Sequence, residues 1–202
     1  MFKPNTRVLT ICEGSDQPRC LIYDSGNFKT PPFGEKSFEL KCHYFGYNGK
    51  AFGEVKTTLS IPEFHSTIKI TSLKVFPLER HERQAEIKQD LISNGRKFVS
   101  LRGINHREYE GIAFFRTNDG LSRFSTSGRI MVDAIAFHRQ NPNYGKQLIA
   151  IDAYGISVNN QWTNQQGDVK NQGLVPEEIG DDQYLICPPT TLAFSLADKR
   201  WG

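Results

Sequence analysis

Chemistry needs particular side chains at particular spacings, and the histidines and cysteines of this chain are spaced too widely for the commonest arrangements. The five histidines are His43, His65, His81, His106 and His138. None stands two or four residues from another, which excludes a zinc site of the H-E-x-x-H kind. Each is read as a surface or hydrogen-bonded residue. The four cysteines are Cys12, Cys20, Cys42 and Cys187, and no two form a C-x-x-C pair. A zinc ribbon or a thioredoxin-like site is thereby disfavoured. Cys12 and Cys20 are placed to face each other across a hairpin. A phosphate-cradling loop needs Gly-x-x-x-x-Gly-Lys-Ser/Thr, because glycine lets backbone N–H groups reach phosphate oxygens. The two Gly-Lys pairs, Gly49-Lys50 and Gly145-Lys146, are followed by Ala51 and Gln147, and neither has the upstream glycine. No Gly-x-Ser-x-Gly elbow occurs either. A Ser–His–acid triad gathered from distant residues needs no local spacing, so a hydrolase stays as a third reading.

The densest charge lies in residues 96–139. Arg96, Lys97, Arg102, Arg107, Arg116, Arg123, Arg129 and Arg139 oppose Glu108, Glu110, Asp119 and Asp133, so the stretch nets 8 − 4 = +4. Residues 140–202 carry four bases and seven acids, a net of 4 − 7 = −3. One reading is a basic surface for nucleic acid or an acidic protein, with Tyr109, Phe114 and Phe124 as stacking partners. The weightier reading is pairing between the two halves and ordinary solvated strand faces. Within the stretch, Arg102, His106, Arg107 and Tyr109 fall in a connection between two apolar segments, where binding residues tend to lie. With Arg129 and Trp162 they form the expected partner-binding set. Hydrogen bonding of Arg102 and Tyr109 to the sheet is the plainer alternative.

These side chains must be held by elements that the 202 residues can build. The net charge is +3, with 38% hydrophobic and 23% charged residues, and mean hydropathy is −0.49. Fourteen Phe, seven Tyr and two Trp supply a core for one folded domain,. No apolar run approaches the ~20 residues of a membrane span. Unpaired cysteines and the absence of an Asn-x-Ser/Thr sequon favour a reducing intracellular compartment. The opening Met1-Phe2-Lys3-Pro4 reads as an initiator set before an excised segment.

Period-two alternation predicts strands at 6–12 and 19–23, with a turn at 24–27. It is strongest from Ser37 to Phe45, where Phe38, Leu40, Cys42 and Tyr44 share one face. Asn48-Gly49 then predicts a two-residue hairpin turn with Tyr47 opposite Lys50 and Cys42 opposite Val55. Further strands are expected at 67–76, 97–101, 109–116, 123–124, 184–187 and 191–196, and 129–136, which fits strand or helix, is read as a strand into a short turn. One main helix is expected over about 82–94, stopped by Asn94-Gly95. Residues 155–183, rich in Gly, Asn, Gln and acids around Trp162, read as a mobile insertion.

Longer phrases carry a resemblance. They include Phe2-Lys3-Pro4-Asn5-Thr6, Gln17-Pro18-Arg19-Cys20, Ile70-Thr71-Ser72-Leu73-Lys74-Val75-Phe76-Pro77-Leu78, Gly95-Arg96-Lys97-Phe98-Val99-Ser100-Leu101-Arg102-Gly103, His106-Arg107-Glu108-Tyr109-Glu110-Gly111 and Gly128-Arg129-Ile130-Met131-Val132-Asp133. Leu192 to Trp201 closes the series. In order and spacing the chain resembles an uncharacterised domain found upstream of the ATPase core in large fungal AAA-type ATPases. Asn94 stands where that domain usually has Arg, Ala193 where Gly is usual, and 146–183 has no counterpart. The resemblance implies an accessory domain without catalytic residues of its own. ATP and Mg would belong only to the absent core, and oligomers would form through it.

The expected fold is therefore α+β, mainly β: a curved antiparallel sheet or partly open barrel covered on one side by the helix, as a single domain over 1–202. The expected function is non-catalytic recognition of a protein client, or regulation of the ATPase core, with no cofactor or metal in this chain. A nucleic-acid-binding β-domain is the alternative.

Overall fold

The computed structural model describes residues 2–117, 120–142, 148–151, 157–158 and 178–202. They form two antiparallel sheets and three α-helices, with neither sheet closed into a barrel, so the fold is α+β and mainly β. The larger sheet contains β1 (Thr6–Ile11), β2 (Pro18–Lys29), β3 (Ser37–Tyr47), β4 (Phe52–Pro62) and β5 (Val75–Pro77). Its order is β5-β1-β2-β3-β4, extended by the short strands Leu148–Ile151 and Ser157–Val158. The smaller sheet is built on a long hairpin of β6 (Asn105–Thr117) and β7 (Gly120–Val132). Labelling the two short strands β8 and β9, the closing strands are β10 (Ala193–Ser195) and β11 (Arg200–Trp201), and the order is β11-β10-β7-β6. The helices are α1 (Gln84–Ser100), α2 (Ala134–Gln140) and α3 (Asp181–Leu185).

Both faces of the larger sheet are buried, not one. Val8, Leu21, Leu40 and Tyr44 pack on one face, while Leu9, Cys20 and Phe45 pack on the other beneath Leu91 and Val99 of α1. Burial on two faces explains why neighbouring residues such as Val8-Leu9 and Cys20-Leu21 are both apolar. β2 continues through 24–29, beyond the strand expected at 19–23, while the β3–β4 hairpin starts at Ser37 and ends at Pro62. At the expected turn of 24–27 the chain instead makes a bulge, with pairing passing from Tyr23↔Cys42 to Ser25↔Lys41 and leaving Asp24 over,.

The β3–β4 hairpin keeps the predicted faces but shifts its register by two. Tyr47 pairs with Phe52, Tyr44 with Val55 and Cys42 with Thr57. The cause is Asn48, whose Oδ1 accepts from the N–H groups of Lys50 and Ala51 at 2.8 Å each. This closes a longer loop than the two-residue turn. A shift of two returns every side chain to its own face, so burial does not oppose it.

Helix α1 differs most from expectation. It runs through Asn94-Gly95 and takes in residues 97–100, which alternation alone assigns to a strand. Gly95 is a packing residue here, since a Cβ on it would lie 2.0 Å from the Tyr184 carbonyl oxygen of α3. The helix stops instead near Gly103, whose φ of +74° is the left-handed conformation that ends helices,. Ile87, Leu91, Val99 and Phe98 line the face turned to the sheet.

Other expectations change in the same direction, from strand to helix. Residues 67–76 contain a short 3-10 turn at Ile70–Ser72 and only the brief β5. Arg129–Ala136 divides at Asp133, which ends β7 and caps α2 by accepting from the Ala136 N–H at 2.9 Å,. Tyr184 and Leu185 lie in α3, and Leu185 is fully buried. At the end of the expected insertion, Ile179 is buried and α3 begins at Asp181, while Glu178, Gly180, Asp181 and Asp182 are exposed. Trp162 and most of 155–177 lie outside the described residues. All four cysteines are free thiols, and Cys20 pairs with Leu9 rather than facing Cys12.

The two sheets are joined at the β1–β2 turn. Arg123 of β7 clasps Asp16 at 2.6 and 2.8 Å and also donates to the Glu13 carbonyl. Phe114 of β6 packs so closely on Gly14 that a Cβ there would lie 2.2 Å from the ring.

Candidate functional site

Five of the six expected site residues are carried by one feature, the β6–β7 hairpin and the loop that enters it. The loop leaves α1 at Leu101 and is held at its base. The Gly103 N–H donates to the Tyr47 hydroxyl at 3.3 Å, and the Asn105 amide donates to the Arg102 carbonyl at 2.9 Å. Arg102, His106, Arg107, Tyr109 and Arg129 are all exposed. They do not share a face. In the register, Arg129 stands opposite Glu108, with His106 on the same side, while Arg107 and Tyr109 point to the other,.

β6 is the outermost strand of its sheet, and no strand pairs with its outer edge among the described residues. In an antiparallel pair alternate residues turn both backbone groups away from the partner. Two such carbonyls are occupied by the strand's own side chains. Arg107 donates to the His106 carbonyl at 3.0 Å, and the Tyr109 hydroxyl donates to the Ile112 carbonyl at 2.9 Å. By the same alternation Glu108 and Glu110 present their backbone groups outward between these guards. Beside them stand apolar side chains with little cover: Ile104 is 66% exposed and Ile112 54%. Edge strands are commonly blunted, and here the strand's own side chains cover the His106 and Ile112 carbonyls but not Glu108 and Glu110 between them.

The basic stretch is not one patch. Arg96 pairs with Asp181 of α3 at 2.8 Å and Arg123 with Asp16. The first is a contact between the basic stretch and the acidic C-terminal part.

Groups able to do acid–base work lie elsewhere. His43 on β3 has a carboxylate at each ring nitrogen, Asp24 at 2.7 Å from Nδ1 and Glu54 at 3.6 Å from Nε2. The bulge at Asp24 places the first of these. With acids at both nitrogens, neither is turned to a hydroxyl or thiol, so the arrangement is not that of a nucleophile and its base. Ser195, Thr126 and Asp198 form a second cluster. The Ser195 hydroxyl donates to Asp198 Oδ2 at 2.7 Å and Thr126 donates to the same oxygen. These hydrogen bonds, first from Thr126 and then from Ser195, hold the Asp198 carboxyl below its usual range. The sign follows: a depressed folded pKa gives stability that is present above the ordinary aspartate range and lost as pH falls through the folded value. The cluster has no histidine and ties the β10–β11 corner to β7. Among the described residues no group of three His, Cys, Asp or Glu side chains is placed to hold a metal ion. No described helix is long and apolar enough to cross a membrane.

Residues 1–82 match a family described as a domain of unknown function, DUF7025. The match covers 82 of the 202 residues, ends before α1, and so takes in β1 to β5 but not the β6 edge. Comparison with curated proteins and with solved structures returned no match.

Sequence reasoning finds the loop and the hairpin because long polar side chains between apolar strands are a local signal. It misses that β6 is an edge, which depends on strand order, and it misses Ile112 because an apolar residue in a strand reads as core.

Proposed function

We infer that this chain is a non-catalytic protein-binding domain, an accessory to an AAA-type ATPase whose core lies elsewhere in the parent polypeptide. The observation that carries the reading is the open central edge of β6 flanked by exposed Ile104 and Ile112. An unpaired edge offers backbone donors and acceptors to an extended segment, and adjacent apolar side chains give that segment something to bury. Binding of this kind adds a strand and uses no reactive group. The link to an ATPase rests on the resemblance of the phrases quoted above, which run through the β6–β7 hairpin. The bound segment comes from the client of the ATPase or from the core itself.

The reading is tested with the doubly substituted chain Ile104→Asp, Ile112→Asp. Both side chains are largely exposed, so the melting temperature stays near that of the unsubstituted chain. Binding to the separately purified ATPase core, or to a client that the core remodels, falls at least about tenfold if each lost apolar contact is worth roughly 1 kcal/mol or more. Unchanged binding to both would refute the edge as the binding surface. Hydrolysis of ATP by the purified chain alone would refute the non-catalytic assignment.

A further inference from the structure

The side chains along the unguarded part of β6 carry a charge pattern. Glu108, Glu110 and Ile112 alternate onto one side of the hairpin, and their cross-strand neighbours there are Arg129, Ser127 and Ser125,. All six are exposed. Neither glutamate enters an ion pair among the described residues, although Arg129 stands opposite Glu108. On the other side of the strand Arg107 is engaged, donating to the His106 carbonyl at 3.0 Å and to the Asn105 side-chain oxygen at 3.2 Å.

An added strand meets this row directly. Glu108 and Glu110 turn their backbone groups outward, so residues of an incoming strand lie beside them on the same side. Two incoming residues, themselves two apart, face the carboxylates. A third, two further along, faces Ile112, whose N–H also points outward while Tyr109 covers its carbonyl,. A second copy of this chain fits the row badly. Antiparallel pairing of two β6 edges centred on Tyr109 sets Glu108 of each copy against Glu110 of the other, and like charges directly opposite are destabilising. The carboxylates therefore reject the chain's own edge and acidic strands and favour a basic one.

We propose that the β6 edge selects an extended basic segment of a partner protein, carrying lysine or arginine against Glu108 and Glu110 and an apolar residue against Ile112. The residue between the two bases faces Tyr109 on the other side. The stretch 96–139 is basic in sum, yet the part of it that meets the segment is acidic, because Arg96 and Arg123 are paired within the chain. This selectivity rests on the protein-binding reading, which needs the edge but not its charge.

The test titrates the intact chain with two blocked nine-residue peptides and follows the backbone amides of residues 108 and 110 by nuclear magnetic resonance. Both peptides have threonine at the odd positions. The even positions are valine, lysine, lysine, valine in one and valine, glutamate, glutamate, valine in the other, a symmetrical row that serves either strand direction. At low salt the lysine peptide binds about tenfold more tightly, since two pairs change from unlike to like charge. The ratio falls towards one as salt rises, which needs no variant to fold. Swapping both charges, Glu108→Lys with Glu110→Lys, reverses the preference; both side chains are exposed, so the fold is kept,. Equal binding of the two peptides, a ratio insensitive to salt, or an order unchanged by the swap would each overturn the proposal and leave the edge as a binding surface. Amides that respond to neither peptide would overturn both.

Discussion

Gly95→Leu prevents α1 from docking on α3 and lowers the stability of the chain by several kcal/mol. The glycine hydrogen faces the Tyr184 backbone, and a Cβ in its place would lie only 2.0 Å from the carbonyl oxygen and 2.6 Å from the carbonyl carbon. Backbone cannot rotate aside as a flexible side chain can, so the helices must separate. Even Gly95→Ala is destabilising. The ~1 kcal/mol that alanine gains over glycine inside a helix is smaller than the roughly 1–3 kcal/mol or more that overpacking costs. Separation of the helices also uncovers Leu185, which is fully buried, and the Arg96–Asp181 pair between α1 and the start of α3. Urea unfolding followed by far-ultraviolet circular dichroism reads the loss. A Gly95→Ala chain as stable as the original would mean that α1 and α3 are not packed as described.

Phe45→Ala removes about 3–5 kcal/mol, the usual range for deleting a buried aromatic side chain. Phe45 is 1% exposed and sits on β3 where the sheet meets α1. Its ring stacks on Phe52 of β4 at a centroid distance of 5.7 Å, and Phe52 in turn meets Phe98 of α1 edge-on. The Phe45 N–H donates to the Ile186 carbonyl at 3.1 Å, so the same residue joins β3 to the segment after α3. The cavity opens between elements that are far apart in sequence and cannot close on itself. The measurement is the denaturant midpoint at constant slope. A shift equivalent to less than about 1 kcal/mol would show that this side chain is not at the centre of the core.

What can be read in the sequence is local. The alternation from Ser37 to Phe45 places the correct side chains on one face, because strand period is two whatever the partner. The register differs by two because Asn48 closes its own loop with a side chain, a choice that faces and periods do not encode. Asn94-Gly95 carries a helix-stop signal, and α1 passes through it because α3 approaches there. That approach joins residues far apart in the chain, so no local rule contains it. Asp24 looks like a turn residue and is a bulge in β2, with its carboxylate on His43 of β3. For the candidate surface, the polar residues Arg102 to Tyr109 announce a loop of interest. Strand order alone makes β6 an edge, and that order is set by the pairing of β7 with β10, which joins Val132 to Ala193.

The same distinction governs the reading of function. Arg107 and Tyr109 are expected to meet a partner, and each also satisfies a carbonyl of its own strand. Their hydrogen bonds occupy the His106 and Ile112 carbonyls and leave Glu108 and Glu110 unguarded between them. On the proposed reading, a partner strand enters at the middle of β6, beside Ile112.

Amide hydrogen exchange resolved to single residues, on the chain mixed with the purified ATPase core and separately with a client of that core, tests this directly. The account predicts that the Glu108 and Glu110 amides slow with one of the two partners, while the amides of the β1–β2 turn keep their rates. Slowing elsewhere with no change at Glu108 and Glu110 would contradict it.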